Sequence, residues 1–310
     1  MTYLNYSRFF CKFTSCFKPV FSAEDMALAE NNHLINELQR CKMKALEIYF
    51  KKQASTIHSL LEQQPKNFTA DTFHQLRVEI KRVKAIADLV AFCSKKGNPK
   101  KTFKPFRAIF KQAGKVREIQ LQLALLNEQP SFNLIKSCQK KLQKKLNKEH
   151  SLFFKTARKT SSRKLKKKYR KITALFLQIG KKKQNRYMDA KRREIMKLLR
   201  KDALKKKQIH MFRKLLKVYD YNEKILKYPE QNKGIAARNR LMELLGHWHD
   251  YQVSILQLKK ASRNCVSNAE EAQLLDNIKM TFISKRKALL NQINAALKRK
   301  HFLDAKKARI

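Results

Sequence analysis

Glycine and proline are scarce: 5 Gly and 6 Pro in 310 residues. A sheet protein of this size needs many turns built on those residues, whereas long helices need few, so the composition predicts an all-α chain. Acidic residues are also few. Asp and Glu number 24 against 72 Lys and Arg, a formal net charge of +48. The six cysteines, Cys11, Cys16, Cys41, Cys93, Cys138 and Cys265, form no CxxC pair. They read as free thiols in a reducing cytosol rather than a disulfide framework. No apolar run approaches the length of a membrane span, and no stretch has the charge-free core and small-residue cleavage site of a signal peptide. Phosphate-binding glycine loops, nucleophile elbows and HExxH are missing, and nothing pairs two carboxylates around a site. The chain is therefore expected to be no enzyme, with no cofactor and no metal. His247 and His249, two apart on a helix, point about 200° from one another and do not make a metal pair.

What is present is helical periodicity and positive charge. Hydrophobic residues make up 43% of the chain, too many for a disordered basic tail. Residues 1–25 read as a loosely ordered leader, and the helical pattern starts near Met26. Helices are expected over about Asp25–Gln63, Asp71–Lys95, Phe103–Asn127, Phe132–Ala157, Gln208–Lys227, Gly234–Arg263 and Ala269–Lys300. Between them, Lys155–Lys207 holds only three acids, Asp189, Glu194 and Asp202. It reads either as helix broken around Gly180–Asn185 or, in its first part, as a solvated linker.

Two segments repeat. Phe73-His74-Gln75-Leu76-Arg77 with Lys81 is matched by Ile209-His210-Met211-Phe212-Arg213 with Lys217. Downstream, Gly114-Lys115-Val116-Arg117-Glu118 is matched by Gly246-His247-Trp248-His249-Asp250. The His-to-Gly separations are 40 and 36 residues. The repeat divides the helical part into a first unit, 26–157, and a second, 158–310, that begins with the basic stretch. At about 100° per residue, His74, Arg77, Lys81 and Lys84 share one stripe of their helix, and His210, Arg213, Lys217 and Tyr221 share one of theirs. The apolar residues Leu76, Ile80, Val83 and Phe212, Leu216, Tyr219 lie opposite. Each helix is expected to bury one face and to offer the other to an anion, with Arg as a fork of donors and Lys as a point charge. Arg77 and Arg213, off the apolar faces, are expected to be replaceable without loss of folding.

The repeated HxxRxxxK and the two G-x-x-[RH]-[DE] motifs resemble the CHAD domain, the conserved histidine α-helical domain, over roughly Met26–Ile310. The resemblance implies two four-helix bundles related by a pseudo-twofold axis, with a basic cavity between them that binds inorganic polyphosphate. The positions it carries over are His74, Arg77, Lys81, Arg117, His210, Arg213 and Lys217. Lys84, Tyr221 and His249 complete the candidate set. Two departures stand out: Asp220 where the resemblance leads one to expect Arg, and His249 in place of Arg. Both are expected to remove charge from the second half. A cytoplasmic protein that associates with polyphosphate granules follows, with nucleic acid as the second candidate partner because a basic surplus fits it too.

Overall fold

The computed structural model describes residues 46–94, 99–160, 162–176, 179–200, 204–226, 234–263 and 269–298. All belong to one unit, Met43–Ile310. The leader, the helix start near Met26, the break at Gly97-Asn98 and residues 299–310 lie outside the described residues. Among those described there are nine α-helices and no strand: α1 over 46–62, α2 Ala70–Cys93, α3 Pro99–Asn127, α4 Lys136–Lys159, α5 Ser162–Thr173, α6 Lys181–Leu199, α7 Lys206–Leu226, α8 Gly234–Arg263 and α9 Ala269–Lys298. None of them is long and apolar enough to cross a membrane.

Local chemistry sets the helix ends. The Thr69 side chain accepts a hydrogen bond from the Thr72 N–H at 3.3 Å, and Asp71 lies in the first turn of α2. An N-cap oxygen satisfies one of the four orphan donors of a helix start, and an acid there complements the helix dipole. α3 begins on Pro99, where the missing N–H costs nothing. α4 has no side-chain cap of its own. Its first turn is served from α9 instead: the buried Glu271 carboxylate accepts from the Cys138 N–H at 2.6 Å. The basic stretch is mostly helical in its described parts, with α4 ending before Thr160 and α7 starting at Lys206. The break near the predicted place falls between Thr173 and Lys181, slightly early, because Gly180 is the N-cap of α6 and Lys181–Asn185 already turn with the helix.

Three apolar clusters hold the helices together. The first joins Phe50 and Ile57 of α1, Phe73, Leu76 and Ile80 of α2, Phe106 and Ile109 of α3 and Phe153 of α4. Phe68, Phe73, Phe153 and Phe154 meet in edge-on or tilted pairs 4.5–5.4 Å apart, the preferred geometry for aromatic rings. Leu165 and Ile172 of α5 also sit in this cluster, although the sequence reading groups α5 with the second unit. A run of lysines shows which side faces water but not which core the few apolar residues join. The second cluster unites Ile195, Phe212, Leu216, Leu245 and Trp248 with Ile293, hence α6 to α9. The third packs Ile119, Leu126 and Leu142 of the α3–α4 pair against Leu258, Leu275 and Phe282 of the α8–α9 pair. The two halves thus share an apolar seam, beyond the two separate bundles expected.

The neighbours follow one order on both sides. α2 packs on α3 and α3 on α4; α7 packs on α8 and α8 on α9. α2 also meets α7, and α3 meets α8. This brings the helices that carry the two repeated motifs side by side.

Candidate anion-binding site

The apolar side of α2 behaves as the spacing predicts: Leu76, Ile80 and Val83 are fully buried. The basic side does not face open water. α7 and α3 lie against it, so Arg77 and Lys81 are only half-exposed, as are Arg213 and Lys217 on α7. The two stripes confront each other. Lys81 lies within the field of Lys217, Arg77 and Arg213, and Lys217 within that of Arg213 and Arg77. Burial, then these neighbours, pulls the Lys81 ammonium down to about 7 and that of Lys217 to about 8. Asp250 of α8 opposes the effect at both, and its own carboxyl is pushed up by burial. Loss of hydration disfavours the charged form of each group, and like charges add to that penalty.

Arg77 is fixed in place. Its Nη1 donates to the Phe110 carbonyl of α3 at 2.9 Å, and its guanidinium carbon lies 4.5 Å from the centre of the Phe110 ring. Gly114 makes this approach available, since a methyl group there would collide with Arg77 Nη1. The two sequence motifs of the first half therefore form one device: the glycine of one is the seat for the arginine of the other. Arg77 thus joins α2 to α3, a contact that the position of Arg77 off the apolar face of α2 does not foretell. Burial lowers its pKa to about 10, helped by Arg213 and Arg117. The second half differs. A Cβ at Gly246 would meet nothing within 4 Å, and Arg213 Nε is buried without a hydrogen-bond partner among the described residues. Arg117 Nε on α3 is in the same condition.

The histidines line the same region. The His210 and His249 rings lie 5.1 Å apart at a 34° tilt. Burial, followed by Arg213, lowers His249 to about 4. His74 is lowered by burial and then by Arg117, Lys81, Lys217 and Arg77, and His210 by burial, Lys214 and Arg213. His247 is exposed, with its Nε2 3.8 Å from Glu243 Oε1, and acts on Asp250 by its charge. Among the described residues no group of three His, Cys, Asp or Glu is placed to hold a metal ion.

The structure thus brings His74, Arg77, Lys81, Arg117, His210, Arg213, Lys217 and His249 into one electrostatic neighbourhood. Tyr221 borders it, where burial raises its pKa and Arg82, Asp220, Arg213 and Tyr49 act on it. Lys84 stands apart, exposed, with its ammonium 5.9 Å from the centre of the Phe103 ring and near Asp88. Asp220 acts on Lys217 by its charge, as the sequence suggests, but it is also engaged elsewhere. Its carboxylate is 2% exposed and pairs with Arg238 Nε at 3.3 Å and Lys224 Nζ at 2.9 Å. Arg238 is not a candidate on sequence grounds; a buried acid on α7 is the only signal that a buried cation has to face it. Glu118, beside Arg117, is held by Gln257 Nε2 of α8 at 2.8 Å.

Outside this region, Lys166 and Lys167 on α5 and Lys181, Lys182 and Lys183 on α6 are exposed. Exchanging these five for Gln is expected to flatten the plot of log affinity against log salt for a bound polyanion. The change should reach up to about 0.9 for each duplex phosphate that is no longer neutralised. An unchanged slope would mark them as bystanders.

A family model, the CHAD domain, matches residues 53–259. Among solved structures, the CHAD domain from the plant Ricinus communis superposes with a TM-score of 0.66 at 17% identity, covering 83% of this chain and 91% of that one. PptA from Streptomyces chartreusis superposes with a TM-score of 0.64 at 12% identity, covering 84% of this chain and 99% of that one. At these identities the likeness is one of fold. No curated protein matches the sequence.

Proposed function

The chain belongs to the CHAD domain family, and from that premise we propose that it is a non-catalytic module that binds inorganic polyphosphate. The observation that carries the reading is the confrontation of the two basic stripes. Arg77, Lys81, Arg213 and Lys217 are all depressed by burial, and the like charges around Arg77, Lys81 and Lys217 depress them further. Asp250, Asp220 and Glu118 are the acids that act against this. Packing like charges face to face costs stability unless something anionic enters between them. A linear chain of phosphates supplies many oxygens in a row to Arg forks and Lys ammoniums and releases counterions as it binds. The role that follows is cytoplasmic, carrying the protein to polyphosphate-rich granules.

The test is a competition at about 0.15 M salt, where distant charges are already screened. Labelled long-chain polyphosphate is bound first, and DNA or RNA is added at equal phosphate concentration. We expect neither nucleic acid to displace it. Displacement by nucleic acid would overturn the reading in favour of a nucleic-acid-binding protein.

A further inference from the structure

The two copies of the motif are alike in sequence and unlike in bonding. Arg77 gives its Nη1 to the Phe110 carbonyl of α3 and lays its guanidinium near the Phe110 ring, over the surface left bare by Gly114. Arg213, its counterpart, has a buried Nε with no partner among the described residues, and the glycine matched to Gly114 has open space above it. Arg117 presents a second buried Nε in the same state. Buried polar atoms in folded proteins are nearly always bonded, so an orphan guanidinium nitrogen beside a cluster of cations calls for an acceptor. The nearby carboxylate does not supply it: Asp250 acts on Arg213 through its charge, yet leaves the Nε unbonded.

We infer that the repeat has divided its labour: Arg77 is a positioning residue that clamps α2 to α3, while Arg213 and Arg117 are the donors that take the phosphate oxygens. This rests on the anion-binding reading above and departs from what the sequence implies. On the motifs alone, the second half is the weaker, because His249 replaces an arginine. On the bonding, each half holds one arginine with an unbonded Nε, Arg117 in the first and Arg213 in the second.

The experiment compares Arg77→Ala, Arg77→Lys, Arg213→Ala and Lys84→Ala in the full chain. Melting temperature and polyphosphate affinity are measured well below the transition. Arg77→Ala is expected to lower the melting temperature by about 5 °C, the size of shift that removal of a buried bond produces in a domain of this length. Arg77→Lys is expected to recover only part of it. In affinity, Arg77→Ala is expected to lose clearly less than Arg213→Ala. Arg213→Ala is expected to keep or raise the melting temperature and to weaken binding at least about tenfold, the equivalent of about 1.4 kcal/mol. Equal melting temperatures for the Arg77 and Arg213 variants would overturn the inference. So would an affinity decrease in Arg77→Ala as large as in Arg213→Ala. If the parent binds no polyphosphate, the functional reading falls; the melting comparison still decides whether Arg77 is the clamp and Arg213 is not.

Discussion

Arg238→Met is expected to destabilise the protein by about 3–5 kcal/mol, the range seen when one partner of a buried ion group is removed. The Arg238 side chain is 2% exposed. Its Nε meets Asp220 Oδ1 at 3.3 Å, its Nη2 is bonded to Glu223, and its guanidinium carbon lies 5.8 Å from the Tyr219 ring centre. The Tyr219 hydroxyl donates to Glu223 Oε1 at 3.3 Å. Met fills similar volume but leaves two carboxylates in a low-dielectric interior, with Lys224, half-exposed, close to Asp220. The penalty for such stranded charges exceeds the net worth of the pair. Arg238→Lys is expected to restore part of the stability, since a single ammonium cannot fork to both acids. Combining Arg238→Met with Asp220→Asn and Glu223→Gln should recover most of it, because both stranded carboxylates are then neutral. Urea unfolding measures each variant, and a change within about 0.5 kcal/mol for Arg238→Met, the range of an ordinary surface substitution, would show that the network is not structural.

This network explains why part of the site is not legible in the sequence. Asp220 occupies a position three residues after Lys217, and a motif comparison reads it as a cavity residue. Only packing reveals that it turns to Arg238, eighteen residues along and beyond the end of α7. The same limit applies to the stripes. Periodicity locates the apolar face of α2 from Leu76, Ile80 and Val83, and these are buried as expected. It is silent on what lies against the opposite face, because a central helix has neighbours on both sides and only one of the two faces is apolar. The helices themselves are readable where glycine, proline and capping residues punctuate them, and α8 begins at Gly234 and ends at Arg263 as the spacing indicates. In α5 and α6 composition obscures them: Lys181, Lys182 and Lys183 look like linker and are the first turn of a helix. Gly114 shows the converse. In the sequence it is only the first residue of a repeated motif, and its fit to Arg77 emerges only with the guanidinium lying on it.

Polyphosphate binding is expected to weaken by at least about tenfold between pH 7 and pH 9, with uptake of about one to two protons per bound site at pH 8. The sign follows from the two lysines. In the free protein burial and like-charged neighbours hold Lys81 to about 7 and Lys217 to about 8. Both are therefore largely neutral at pH 9, while in the unfolded chain they remain charged up to the usual lysine range. The unfolded state binds more protons across that window, so the stability of the free protein rises with pH there. A bound polyanion acts in the opposite direction: phosphate oxygens among Arg117, Arg213 and the two lysines favour the ammonium forms and draw protons in. Affinity is then greatest at and below about pH 7 and declines as pH rises through the two lysine values. Below neutrality His74, His210 and His249, all lowered in the free protein, add to the same trend. Asp250, Asp220 and Glu118 are the acids that moderate it. Calorimetric titration in two buffers of different ionisation enthalpy counts the protons directly. Lys81→Arg together with Lys217→Arg keeps the charge at every pH in this window, and should abolish both the uptake and the decline between about pH 7 and 9. A pH-independent affinity in the parent, with no proton uptake, would show that the facing stripes do not receive the polyanion.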